Sequence, residues 1–124
     1  MRRTSVLAAL VLAAVLTVVG GVQNMALAVG ACSAGQFCGW TDANWTGTKL
    51  AWSNTGQACT NIVSTYDNKL SSVVNRSGEM TQLRDNDSCG GVWYGTPNGK
   101  SHQTLSGTGM NDSANSIDFD MSSP

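Results

Sequence analysis

Two short boxes rich in side-chain oxygen are the part of this chain best suited to chemistry. Asp67-Asn68-Lys69-Leu70-Ser71-Ser72 runs into Val73, and Asn111-Asp112-Ser113-Ala114-Asn115-Ser116 runs into Ile117, 44 positions further on. Each reads as two Asx residues, two variable residues, a small polar residue, a serine and a β-branched apolar residue. Oxygen ligands packed this densely in a loop suit a hard cation such as calcium. The same side chains also suit a structural role, because Asx and Ser residues cap turns by bonding nearby backbone.

Other chemistry is poorly supplied. His102 is the only histidine, and Lys100-Ser101-His102-Gln103 reads as a solvated loop. A Ser-His-Asp triad would have to use it, yet no nucleophile-elbow motif is present. Asp85-Asn86-Asp87 starts like a calcium loop, but Thr96 stands where the closing acid belongs. Asp118 and Asp120 alternate along the last strand and share one face, read as the wet one. The chain is therefore not expected to be an enzyme.

Four cysteines, Cys32, Cys38, Cys59 and Cys89, all follow an N-terminal leader pattern. An even count in a small exported domain implies two disulfides, with three pairings open. Cys32–Cys38 with Cys59–Cys89 is favoured. The first would pin the N-terminus to the first strand, and the second would close a loop of about 30 residues. With no C-x-x-C spacing and a single histidine, a zinc site is disfavoured.

The leader itself is Met1-Arg2-Arg3, an uncharged apolar run from Val6 to Val22, and the small-x-small motif Ala26-Leu27-Ala28. That order describes a secretory signal peptide over 1–28. An uncleaved anchor and a lipoprotein signal at Cys32 are the rivals; the latter would leave an odd number of cysteines. Cleavage after Ala28 leaves 96 residues, 29–124, enough for one small domain. Five basic against eight acidic residues remain, and a mildly acidic surface without a basic cluster argues against nucleic acid. No later stretch is apolar enough to span a bilayer.

Helix signals are weak, and short alternating runs are read as strands: 36–40, 49–52, 72–75, 80–83 and 116–119. Turn clusters separate them, with Pro97-Asn98-Gly99 the clearest. Many short strands between polar turns give an all-β sandwich or barrel. The repeat also extends upstream of the boxes. Trp40-Thr41-Asp42-Ala43-Asn44-Trp45-Thr46-Gly47 opens the first unit and Leu83 to Gly91 opens the second. Asp42 is set against Asp85, and Gly47 against Gly90 or Gly91.

On these residues the chain resembles a βγ-crystallin domain of two Greek keys, about 32–78 and about 79–120. Trp40, Asp42, Trp45 and Gly47 match that family's folded-hairpin pattern, and Asp67 to Ser72 match its calcium pattern. The second unit departs, with Leu83 for the first aromatic, Cys89 near the second and Asn115 for Ser or Thr. The N-terminal Cys-x5-Cys with Phe37-Cys38-Gly39-Trp40 further resembles the secreted actinobacterial metalloproteinase-inhibitor family, the Streptomyces type.

The crystallin resemblance implies calcium as the one cofactor, held by Asp67, Asn68 and Ser71 together with Asn111, Asp112 and Asn115. The inhibitor resemblance implies a rigid exposed loop that enters a protease cleft in extended form. Cys89-Gly90-Gly91-Val92-Trp93-Tyr94 is the candidate, disulfide-anchored at its start, with Val92 as the bulky apolar residue that thermolysin-type enzymes favour after the cut. Val92 to Tyr94 equally suits an ordinary core strand. The four tryptophans are assigned mainly to hairpin cover and core. The expectation is a secreted monomer whose partner is an extracellular metalloprotease. A calcium-binding structural module and a killer-toxin-like antimicrobial are the alternatives.

Overall fold

In a computed structural model, residues 31–56 and 59–119 are described; the leader 1–28 and Asp120 lie outside them. Among the described residues eight strands form two four-stranded antiparallel sheets. They are β1 (Gln36–Asp42), β2 (Thr46–Ser53), β3 (Cys59–Asn61), β4 (Ser72–Asn75), β5 (Thr81–Arg84), β6 (Trp93–Thr96), β7 (Ser101–His102) and β8 (Ser116–Asp118). The first sheet has the order β2-β1-β4-β7 and the second β3-β8-β5-β6. Each run of four strands thus lends its third strand, β3 or β7, to the other run's sheet. This exchange makes two Greek keys into one sandwich.

The core lies between the sheets. Phe37, Val73, Leu83 and Ile117 point inward from the strands, and Ile62, Leu70, Leu105, Met110, Ala114 and Phe119 arrive from the loops. Leu70 and Ala114 are the second variable residues of the two boxes, so each box buries one apolar side chain. Leu70 needs room that Gly39 provides: a Cβ there would sit 2.9 Å from Leu70 Cδ2. The first sheet is covered on its outer face too, by Cys32, Cys38, Trp40 and Val74 with Trp45 against them. That is why all four residues of β4 are buried.

The chain closes Cys32–Cys38 and Cys59–Cys89. In the chain-entropy account, closing the 30-residue separation of the second contributes about 3–4 kcal/mol. It ties β3 to the segment before β6.

Two strands, β3 and β7, lie where no strand was read from sequence. β3 and β7 have only three and two residues, too few to show alternation. β6 takes up Trp93 and Tyr94 in keeping with the strand alternative read for Val92 to Tyr94, and carries Gly95 within it. His102 is no solvated loop residue: it sits on β7, half-buried, with its ring edge-on to Tyr94 at 5.2 Å. Burial holds its pKa below the ordinary 6.5, and Nε2 is buried without a partner. Asp118 is not a free wet carboxylate either; its Oδ2 meets Arg84 Nη2 at 3.4 Å.

The lowered pKa of His102 means that the unfolded chain takes up a proton before the folded one. Stability therefore falls as pH drops below 6.5 and levels off below the folded-state pKa. Urea melts between pH 7.5 and 5 should show this slope in the wild type and a flatter profile in His102→Phe. Equal slopes would remove His102 as the cause.

Candidate functional site: a stapled hairpin and two facing boxes

The two units superimpose in sequence at an offset of 44, and their hydrogen bonds repeat at that offset. Ser72 Oγ donates to Asp42 O at 2.7 Å and accepts from Trp45 N–H at 3.0 Å. Ser116 Oγ donates to Asn86 O at 2.6 Å and accepts from Cys89 N–H at 3.0 Å. In each unit the last serine of the box thus grips a hairpin that has folded back on itself. Thr41 Oγ1 accepts from Thr48 N–H at 2.9 Å, as Asp85 Oδ1 accepts from Val92 N–H at 2.7 Å. Asp85 therefore corresponds to Thr41, not to Asp42 as its acidity suggests, and Gly47 corresponds to Gly91.

Both hairpins turn through single 3-10 turns, Ala43–Trp45 and Asp87–Cys89, with consecutive left-handed residues. These are Asn44 and Trp45 at φ 59° and 55°, and Ser88 and Cys89 at 57° and 59°. What covers the turn differs. In the first unit the Trp45 ring lies over the sheet and donates Nε1–H to Val73 O at 3.3 Å. In the second, Cys89 replaces the tryptophan and the disulfide to Cys59 does the holding. The missing second aromatic is thus the mark of a covalent staple.

The candidate loop Cys89 to Tyr94 divides into two parts. Cys89 to Val92 completes the hairpin, while Trp93 and Tyr94 already belong to β6. The first part is kinked rather than uniformly extended, with Cys89 at φ 59° and Gly91 at 76°. It is held at many points. Ser88 N–H donates to Asn61 Oδ1 at 2.7 Å, and Asp85 N–H donates to Val92 O at 3.1 Å. Val92 projects from this frame 62% exposed. Tyr94 packs inward against the core, whereas Trp93 is 54% exposed. Trp93 therefore stands apart from Trp40, Trp45 and Trp52, which do serve as core or cover.

The boxes lie side by side, as the crystallin pattern requires. Asn68 N–H donates to Ala114 O at 2.9 Å and Asp112 N–H to Leu70 O at 3.0 Å, a pair related by the same offset. Asn68 and Asp112 both take left-handed φ, 56° and 53°. The side chains are not equivalent, however. Ser71 Oγ donates to Asp112 Oδ1 at 3.2 Å, and Asn111 Nδ2 to Asp112 Oδ2 at 3.1 Å. Asn115 instead turns its amide to Asp85 O at 2.7 Å, leaving its Oδ1 buried without a partner. The Ser71–Asp112 half thus brings a hydroxyl and a carboxylate together across the boxes, and Asn115 is engaged in bracing the hairpin. Asp67 is half-buried at the edge of the first box. Among the described residues no three His, Cys, Asp or Glu side chains cluster as metal ligands.

Comparison with known proteins places this geometry. The model of peptidase inhibitor family I36 matches residues 26–96. No curated protein matches the sequence. Among solved structures, one from work on the evolution of the eye-lens βγ-crystallin domain fold is 18% identical, covering 70% of this chain and 87% of that one at a TM-score of 0.58. A βγ-crystallin from an archaeon is 12% identical over 70% and 99%, with a TM-score of 0.57. A βγ-crystallin from Ciona intestinalis is 15% identical over 68% and 99%, with a TM-score of 0.55. At such identities the likeness shows the fold alone, and the fold is that of the βγ-crystallins.

The neighbouring glycines of the hairpin should separate sharply on substitution. A Cβ on Gly91 would lie 1.9 Å from Asp85 Oδ1 and force a side chain into positive φ, whereas one on Gly90 meets nothing closer than 3.5 Å. Gly91→Ala is expected to cost about 2 kcal/mol or more in a urea melt and Gly90→Ala less than about 1. Equal losses would mean that the hairpin does not hold this shape.

Proposed function

The chain belongs to peptidase inhibitor family I36, and from that membership we propose that it is a secreted inhibitor of an extracellular metalloprotease. It acts as a stoichiometric binder, not an enzyme. The leader pattern of residues 1–28 supports export, and no described helix is long and apolar enough to cross a membrane. One observation carries the reading of the site: Val92 stands exposed on a segment whose backbone is bonded on both sides by Asp85 and stapled at Cys89. A loop fixed in this way loses little entropy on binding and holds its shape in a cleft. Val92 supplies the bulky apolar side chain that a thermolysin-type pocket takes.

The oxidised mature protein should inhibit a thermolysin-type metalloprotease at micromolar concentration or below and leave a subtilisin-type serine protease active. Val92→Asp should weaken inhibition about 30-fold or more, as for a central anchor residue. Inhibition of the serine protease alone would contradict the metalloprotease assignment. An unchanged inhibition constant for Val92→Asp would move the contact elsewhere.

The meeting of Ser71 Oγ and Asp112 Oδ1 favours a second, compatible reading: one weak calcium site at that half of the paired boxes. Asn111 meets Asp112 there, Asp67 and Asn68 belong to the same box as Ser71, and Asn115 is turned to Asp85 instead. With few carboxylates the affinity belongs at the weak, extracellular end, roughly 10⁻⁴–10⁻³ M. A ligand of the folded state raises the melting temperature by mass action. Calcium at 10 mM should raise it in the wild type but not in Asp112→Ala. No rise in the wild type would dismiss calcium.

A further inference from the structure

The far edge of the second sheet, exposed at Trp93 and half-buried at Tyr94 and Gly95, is a surface that the hairpin reading leaves unused. β6 is its last strand. β5 pairs with it through Arg84–Trp93, Leu83–Tyr94, Gln82–Gly95 and Thr81–Thr96. Asp85 N–H bonds Val92 O, while Arg84 C=O turns the other way and accepts from Asn115 N–H at 2.7 Å. Bonded and unbonded pairs alternate in an antiparallel ladder. Arg84–Trp93 and Gln82–Gly95 are therefore the unbonded pairs on this side. The N–H and C=O groups of Trp93 and Gly95 face away from β5, and no other described residue bonds them.

The side chains beside this edge are apolar. Met80 is 40% exposed, and a Cβ on Gly95 would meet its Sδ at 3.2 Å and the Trp93 ring at 3.5 Å. Gly95 thus lets Met80 and the Trp93 ring pack over its outer face, while its N–H and C=O point along the open edge. With Val92 these are three of the four large apolar side chains exposed among the described residues. No charge occurs from Ser88 to Gly99. Soluble proteins normally blunt a free edge with lysine, proline or a bulge, as Lys49 does on β2. β6 carries none of these.

We propose that β6 joins the substrate-binding edge of the target peptidase as an added strand, with Trp93 and Met80 lying on the apolar wall beside the cleft. This rests on the inhibitor reading and extends it. Peptidases hold their chains extended through main-chain hydrogen bonds, and a bare edge with alternate side chains suits that mode. A second copy of this chain is a poorer occupant. A four-residue strand and three side chains fall short of the roughly 800 Å² per partner that a stable dimer needs. A peptidase already engaged at Val92 needs only the extension.

The test compares inhibition constants against thermolysin for the wild type, Gly95→Pro and Trp93→Lys, each checked for melting temperature and closed disulfides. Proline at 95 deletes an N–H that faces away from the ladder, a position where strands tolerate it. Lysine at 93 adds the missing edge charge without touching the backbone, so it decides the matter if the proline variant misfolds. Each should raise the inhibition constant about tenfold or more. Unchanged constants in both folded variants would overturn the edge proposal and leave the hairpin reading standing. A wild type that inhibits nothing would overturn both. A wild type that sediments as a dimer, with a monomeric Trp93→Lys of unchanged inhibition, would assign the edge to self-association instead.

Discussion

A serine hydroxyl at the end of each box holds a hairpin folded against its own sheet, and the remaining architecture depends on that grip. Ser72 bridges Asp42 O and Trp45 N–H; Ser116 bridges Asn86 O and Cys89 N–H. Both serines are buried, where an unmatched backbone group would cost about 1–3 kcal/mol. The bridge lets two consecutive residues stay in left-handed backbone. That turns the chain sharply enough to start β2 in one unit and to aim the chain at β6 in the other. The box preceding each serine is then carried into contact with its twin, which brings Ser71 to Asp112.

The two units use one plan for different ends. The first closes its hairpin with a tryptophan and buries both faces of β4. The second closes it with a disulfide and spends Asn115 on Asp85 instead of on the facing box. Its strand β6 keeps an outer face of Trp93 and Gly95 and a free edge. The symmetric half of the molecule is thus built for stability, and the departures from symmetry gather at Cys89 to Gly95. A segment held this firmly would lose little entropy on binding, which is what the proposed contact needs.

Much of this was legible in the residues. The offset of 44, the serine boxes, the paired cysteines and the strands with apolar alternation all follow from side-chain type and spacing. Three features did not. β3 and β7 are held by pairing with distant strands rather than by local pattern, so three and two residues carry no signal of their own. The hairpin register was misaligned by one because acidity suggested Asp85 as the match of Asp42. The acceptor actually required at that place is any side-chain oxygen, and Thr41 supplies it as well as Asp85 does. His102 looked solvated because its neighbours are polar, whereas its burial comes from Tyr94 across the gap between the sheets. The candidate loop remains an expectation read from its cysteine and apolar residues; the division of that segment into a kinked hairpin and an edge strand depends on Gly91 and the β5 pairing.

The segment from Cys89 to Gly95 is the surface proposed to meet a peptidase. Amide hydrogen exchange of the mature protein, alone and with an equimolar thermolysin-type metalloprotease, addresses it directly. The outward amides of Trp93 and Gly95 should exchange quickly in the free protein and become protected in the complex, while the box amides of Asn68 and Asp112 stay unchanged. Protection appearing around Val63 or the boxes, with Trp93 and Gly95 still exchanging freely, would contradict the account.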